Sequence, residues 1–143
     1  MNENDSPEAL EQAIGRYNDA WNAHDLDAIM AMHAPDMVFE NHTAHERAEG
    51  EAVRGHIGSI FETWPDIRFD GRRTYCRDGL VVQEWTATAT HANEMRRGDL
   101  VAEPTGKTVT WDGLDVIPFE DGLVKRKDVY SDSVTILSAL GLL

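Results

Sequence analysis

At Trp64-Pro65-Asp66 the spacing of apolar residues changes from helical to alternating, and it stays alternating for most of the remaining chain. Before that point, Ser6-Pro7-Glu8 carries the marks of a helix start: a hydroxyl N-cap, proline at the first helical position, then an acid near the positive end of the dipole. Leu10, Ile14, Tyr17 and Trp21 follow at helical spacing, as one stripe. Asn22-Ala23-His24 ends this helix, and Asp25 can cap a second, short one carrying Leu26, Ile29, Met30 and His33, which Pro35 stops. Met37 to His42 reads as a short strand and Thr43 to Gly50 as a polar loop. A third helix runs from about Glu51 to Thr63, with Val53, Ile57, Ile60, Phe61 and Trp64 on one face.

Beyond the change of period, Ile67, Phe69 and Tyr75 predict paired strands with the stretch Leu80 to His91, across the turn Arg77-Asp78-Gly79. Ala92 to Gly106 is a long polar connection closing in Pro104-Thr105-Gly106. Lys107 to Phe119, the turn Glu120-Asp121-Gly122 and Leu123 to Asp132 predict a hairpin, and Val134, Leu137 and Leu140 a last short helix. Three helices followed by long antiparallel strands is the α+β pattern, and residues 1–143 suit a single domain. A long sheet twists and curls. Helices laid on its concave side leave a cone-shaped cavity open at one end, the form expected of a small-molecule site.

Charge and composition narrow the partners. Twenty-six acidic residues against 13 basic ones leave −13, which repels phosphate backbones and anionic lipid, so neither nucleic acid nor a membrane is expected as partner. No apolar run nears the ~20 residues that span a bilayer. Met1 to Ser6 is polar and acidic, unlike a secretory leader. The single cysteine, Cys76, cannot close an internal disulfide, so the expected compartment is the cytoplasm. Among the six histidines there is no HExxH pair and no zinc cluster. His42 and His45, near Glu40 and Glu46, read as an ordinary polar loop, so no metal is expected. Glycine-rich nucleotide motifs are absent as well, and no cofactor is expected.

Strict alternation along the last long strand puts Val124, Arg126, Asp128, Tyr130 and Asp132 on one face and Leu123, Lys125, Lys127 and Val129 on the other. Asp128 in mid-strand either points into a cavity or pairs with Arg126 or Lys127. Asp132 stands where it can cap the last helix. Asp115 shares a face with Trp111, Gly113, Ile117 and Phe119 and should point inward, where it needs a partner or a proton. Tyr17, Trp21, Phe39, Trp85 and Trp111 either line a pocket or simply fill the core. Asn41 can bond a carbonyl or serve a turn, and His91 can donate to a carbonyl or sit at a solvated strand end.

The order of elements, with Tyr17 to Asp36 (YNDAWNAHDLDAIMAMHAPD), Trp64-Pro65-Asp66-Ile67, Trp85 to His91 (WTATATH), Pro104 to Lys107 (PTGK), Gly113 to Gly122 (GLDVIPFEDG) and Asp132 to Gly141 (DSVTILSALG), resembles the SnoaL-like polyketide cyclases of the NTF2-like superfamily. That resemblance implies a cone of N-terminal helices on a curved, mostly antiparallel sheet. It implies an intramolecular aldol-type ring closure run by an aspartate general acid/base, with no cofactor, on a small hydrophobic ring-containing ligand. Asp128 is the position that matches the family's aspartate, with Asp115 and His91 as further catalytic candidates. Tyr17, Trp21, Phe39, Asn41, Trp85, Trp111, Arg126 and Tyr130 are the candidates for holding the ligand. The sequence departs from the family at Gly113 and Asp115, or Asp112 and Leu114, where the cyclases carry a glutamine and a histidine. Other chemistries on the same cone are an epoxide hydrolase, for which Asp115, Arg126 and Asp128 would have to converge on a water, a ketosteroid-isomerase-like enzyme, or a non-catalytic binding module. A homodimer through the outer sheet face, with Leu123, Val129, Leu114 and Val116, is also expected.

Overall fold

Ser6 opens the first helix as its sequence predicts. In the computed structural model, which describes residues 2–143, its hydroxyl accepts from Ala9 N at 3.2 Å and Pro7 occupies the first turn of α1 (Pro7–Asn22). Met1, part of the polar start, lies outside the described residues. Leu10, Ala13, Ile14, Tyr17, Ala20 and Trp21 form the buried stripe of α1. Each large apolar side chain so buried contributes about 1.5–3 kcal/mol. Asp25 caps α2 (Leu26–Ala31) through Ala28 N, and α3 (Ala52–Thr63) follows the predicted bounds closely.

Two expectations in this half are corrected. The second helix ends at Ala31, before Pro35, and His33 already belongs to strand β1 (His33–Asn41). Pro35 lies within β1, where the pairing register shifts between His33 and Val38 and the proline's missing N–H can be accommodated. The supposed loop Thr43 to Gly50 contains β2 (Glu46–Glu49), paired antiparallel with β1. It is an edge strand of mostly charged residues, so no apolar alternation marks it in the sequence.

The long strands are β3 (Arg68–Arg77), β4 (Leu80–Thr90), β7 (Thr108–Glu120) and β8 (Leu123–Ser131). Between β4 and β7 the polar connection folds a small hairpin, β5 (Met95–Arg97) with β6 (Leu100–Ala102). The main sheet runs β2-β1-β8-β7-β4-β3, antiparallel throughout except for the parallel β1–β8 pair. Asp121 and Gly122, at φ 54° and 76°, form the β7–β8 turn; Asp5 accepts from both of their backbone N–H groups and ties the N-terminus to it. Helix α4 (Ser133–Ala139) is capped by Asp132, whose carboxylate accepts from Thr135.

The sheet is irregular where it matters most. Val116 pairs with Asp128 and Phe119 with Val124, three residues of β7 against four of β8, so β8 carries one extra residue between 124 and 128. A bulge of this kind reverses the alternation on its own strand. Val124 faces the core, and so do Lys127 and Val129, while Arg126 and Asp128 lie on the outer face. Taking Val124 as the inward reference, the strictly alternating faces expected for β8 are therefore corrected from Arg126 onward, and Val129 is removed from the outer face.

Candidate functional site

The helices and the concave face of the sheet enclose a cavity of about 860 Å³. Its walls are aromatic. Trp21 stacks on Phe39 and meets Phe61 and Phe69 edge-on, Phe69 meets Trp85 at 5.1 Å between centroids, and Trp64 leans on Trp111 at 5.1 Å. Gly113 makes room for Trp85: a Cβ there would lie 2.2 Å from the indole.

A chain of polar groups crosses the apolar floor. Asn18 on α1 and Gln83 on β4 exchange two amide hydrogen bonds of 2.9 and 3.1 Å. Gln83 Nε2 also donates to Asp115 Oδ2 at 3.0 Å. Lys127 Nζ stands 3.8 Å from the same oxygen, and Asp115 Oδ1 has no partner among the described residues. Asp115 is 3% exposed and Lys127 6%, and both line the cavity. The ammonium lies 3.9 Å from the centroid of the Trp21 ring, with those of Tyr17 and Phe39 at 4.9 and 5.8 Å, a cation–π arrangement with three aromatic partners. Burial, opposed by the charge of Asp115, lowers the pKa of Lys127 below that of an ordinary lysine.

Trp21, Phe39, Asn41, Trp85, Trp111 and Asp115 line the cavity as the sequence suggests. Asn41 also serves a turn, accepting through Oδ1 from Thr43 Oγ1 and Ala44 N. Tyr17 is fully buried outside the lining, and its hydroxyl bonds His33 Nε2 at 2.8 Å. His91 is likewise buried and outside the lining: Nδ1 accepts from Thr105 N at 3.2 Å, and the ring rests on Trp64. It is not at a solvated strand end.

Asp128, Arg126 and Tyr130 are not in the cavity. They share the outer sheet face with Glu40 and His42. Arg126 Nε bonds both oxygens of Asp128 at 2.9 Å, Arg126 Nη2 reaches Glu40, and His42 Nε2 lies 2.7 Å from Asp128 Oδ1. Burial opposes the charge of Asp128, but Arg126 and His42 outweigh it and hold its carboxyl below the usual range. That makes it a still weaker base. Tyr130 stacks on His42 at 4.6 Å and is 43% exposed. Glu40, His42 and Asp128 bring three ligand atoms within 4.8 Å of one another, yet the guanidinium of Arg126 already supplies the positive charge of that cluster. Asp115, on the inner face, does not converge with Arg126 and Asp128, so the three do not form the arrangement an epoxide hydrolase of this kind requires.

Lys127, Gln83, Asn18 and His56 escaped sequence reasoning. His56 carried a signal: it lies three residues after Val53 and four before Ile60, inside the apolar stripe of α3, and its ring packs against Phe39 at 4.9 Å. Burial lowers its pKa, with Glu46 opposing, and Glu46 and Arg97 join it in the lining.

A half-open cone of helices on a curved sheet, with an aromatic cavity floored by polar groups, defines the NTF2-like class of α+β domains. Residues 14–127 match the SnoaL-like domain, and the chain belongs to that family. Among solved structures, a candidate SnoaL-like polyketide cyclase from Jannaschia sp. CCS1 superposes with a TM-score of 0.84 at 16% identity, over 100% of this chain and 98% of that one. AclR from Streptomyces galilaeus, a candidate hydroxylase, gives 0.83 at 23% identity over 96% and 88%. IdmH from Streptomyces antibioticus, a candidate polyketide cyclase, gives 0.76 at 24% over 92% and 97%. These likenesses establish the fold. No curated protein matches the sequence.

Proposed function

We propose that this chain is a cofactor-independent enzyme of proton-transfer chemistry, closing a ring by aldol-type attack within a small, neutral, ring-containing carbonyl compound, with Asp115 as the general acid/base. The observation that carries this reading is Asp115, a buried carboxylate in the lining of a cavity with aromatic walls, whose Oδ1 has no partner among the described residues while Oδ2 is held by Gln83 and faced by Lys127. A carboxylate so fixed can take a proton from a carbon flanked by carbonyls and return it to the oxygen that is attacked. The positive charge of Lys127 offsets the negative charge that moves between carboxylate and enolate. Asn41 can donate to a ligand carbonyl through its amide nitrogen, since its Oδ1 is engaged in the turn.

The catalytic aspartate thus moves, in this reading, from Asp128 to the neighbouring strand. Hydrogen–deuterium exchange at the C–H next to the carbonyl of an aryl ketone such as α-tetralone, followed by NMR, tests it. Asp115→Asn should lower protein-catalysed exchange by ~10²–10⁴-fold at a temperature where circular dichroism shows the variant still folded. Exchange that survives in Asp115→Asn removes Asp115 from the role. Family membership and the lone Cys76 support a cytoplasmic setting. The half-buried Val82, Leu114 and Val116 on the outer sheet face support a homodimer. A sedimenting species of 16.0 kDa at tens of micromolar would count against the dimer. No helix among the described residues is long and apolar enough to cross a membrane.

A further inference from the structure

The chain has three lysines, and they sit in different surroundings. Lys125 is exposed and paired with Glu120, and Lys107 is exposed with its Nζ donating to Ala139 O. Lys127 alone is buried, and it alone lines the cavity. Its one ion-pair partner among the described residues is Asp115 at 3.8 Å, too far for a direct hydrogen bond. Three aromatic rings, at 3.9, 4.9 and 5.8 Å, hold the end of the side chain without tying it into a conventional hydrogen bond. An amine held next to a carboxylate at the base of an apolar cavity has the parts needed for covalent capture of a carbonyl group.

We propose that Lys127 captures the ligand covalently: its Nζ condenses with a ketone or aldehyde carbonyl to form a protonated imine, with Asp115 carrying the protons. A small shift of the flexible lysine stem brings the ammonium within hydrogen-bond distance of Asp115, to which it gives a proton, and the neutral nitrogen attacks the carbonyl carbon. A C–N bond forms as the C=O π pair moves to oxygen, which takes the proton from Asp115. The resulting carbinolamine passes its N–H proton through Asp115 to its hydroxyl, which leaves as water. The sum is one carbonyl and one ammonium converted to one iminium and one water, with charge conserved and no further reactant. The lowered proton affinity of the buried amine increases the fraction that is neutral and nucleophilic. The iminium then acidifies the adjacent C–H, the proton that Asp115 removes in the proposed function, so this inference rests on that reading and specifies its substrate as a carbonyl compound with an unhindered ketone or aldehyde.

The probe is benzoylacetone, a neutral aromatic 1,3-diketone whose imine with an amine settles into a conjugated enaminone that absorbs in the near ultraviolet. The parent protein should gain one adduct by intact mass, mapped by peptide digestion to Lys127, with Lys107 and Lys125 as unmodified internal controls. This needs no variant to fold. Lys127→Arg should abolish the absorption, and Asp115→Asn should slow its appearance roughly 10²-fold. Adduct spread equally over the three lysines, or none at Lys127, overturns the proposal. If no adduct forms at Lys127 while α-tetralone exchange still depends on Asp115, covalent capture falls and the proton-transfer reading stands. If Lys127 is modified but exchange ignores Asp115, covalent capture stands and the assigned acid/base falls.

Discussion

Replacing Lys127 with methionine keeps most of its stem and removes its charge, which isolates the energetics of the pair under the cavity. At 3.8 Å and an effective dielectric of ~20, attraction between Lys127 and Asp115 is about 4 kcal/mol. The aromatic faces around the ammonium add about 1–2 kcal/mol. Desolvation of the two charges opposes this by several kcal/mol each. The terms nearly cancel, so the intact pair contributes little net stability, while loss of one member strands the other in the dry floor. Lys127→Met is therefore expected to destabilise the protein by about 3–5 kcal/mol. Asp115→Asn should cost less, about 1–3 kcal/mol: the amide can still accept from Gln83, and the lysine, already reluctant to hold its proton, can shed it. The double variant should be no less stable than Lys127→Met alone, because the stranded carboxylate is gone. Urea unfolding followed by tryptophan fluorescence at neutral pH supplies the four free energies, provided the denaturant slope stays constant across the set. If the two single effects add to within about 0.5 kcal/mol, Lys127 and Asp115 do not act as a unit, and the argument from their proximity fails.

Further consequences are open to the same instruments. Burial, assisted by the charge of Lys127, takes His33 from 6.5 to about 4 in the folded chain. The unfolded state then binds more protons between those values, so the contribution of His33 is full above about pH 6.5 and falls away toward pH 4, up to about 3 kcal/mol. His33→Gln should flatten that part of the stability–pH curve, and an unchanged slope would assign the dependence elsewhere. Gly113→Ala should destabilise by about 1–3 kcal/mol and alter the emission of Trp85, since the indole must move; an unchanged melting temperature and spectrum would contradict the close approach. Asp128→Asn should cost about 1–2 kcal/mol through its bonds to Arg126 and His42 and leave α-tetralone exchange at the parent rate; loss of exchange would return the catalytic role to the outer face.

What the sequence disclosed follows from which interactions are local. Ser6, Asp25 and Asp132 each cap the helix they precede, because capping is settled within four residues. The inward faces of β4 and β7, including Trp85, Trp111 and Asp115, follow simple alternation because those strands pair through eleven positions without interruption. The edge strand β2 and the hairpin β5–β6 are only three or four residues each and carry few buried side chains, too short for an apolar alternation to show, and backbone pairing with a neighbouring strand makes them strands. His33 lies in β1 and not in the second helix for a different reason, a long-range one: its place is decided by pairing with Val124 and by the hydroxyl of Tyr17.

The catalytic candidate was displaced by one inserted residue on β8. Lys125-Arg126-Lys127-Asp128 is a run of four charges, so whichever face turns inward, at least one charge must be buried. Without a bulge the inward member next to Val129's neighbours would be Asp128, facing a sheet whose adjacent strand already buries Asp115. With Arg126 turned inward on the same face, the apolar floor would hold two carboxylates against one cation and keep a net negative charge, an arrangement that disfavours ionising both carboxylates. The extra residue between 124 and 128 turns Lys127 inward beside Asp115 and sends Asp128 out to Arg126 and His42. Both faces then carry opposite charges in contact. The register that neutralises the floor of the cavity is also the one that sets an amine beside an acid there, so the folding requirement and the chemistry assigned to the site are met by the same irregularity.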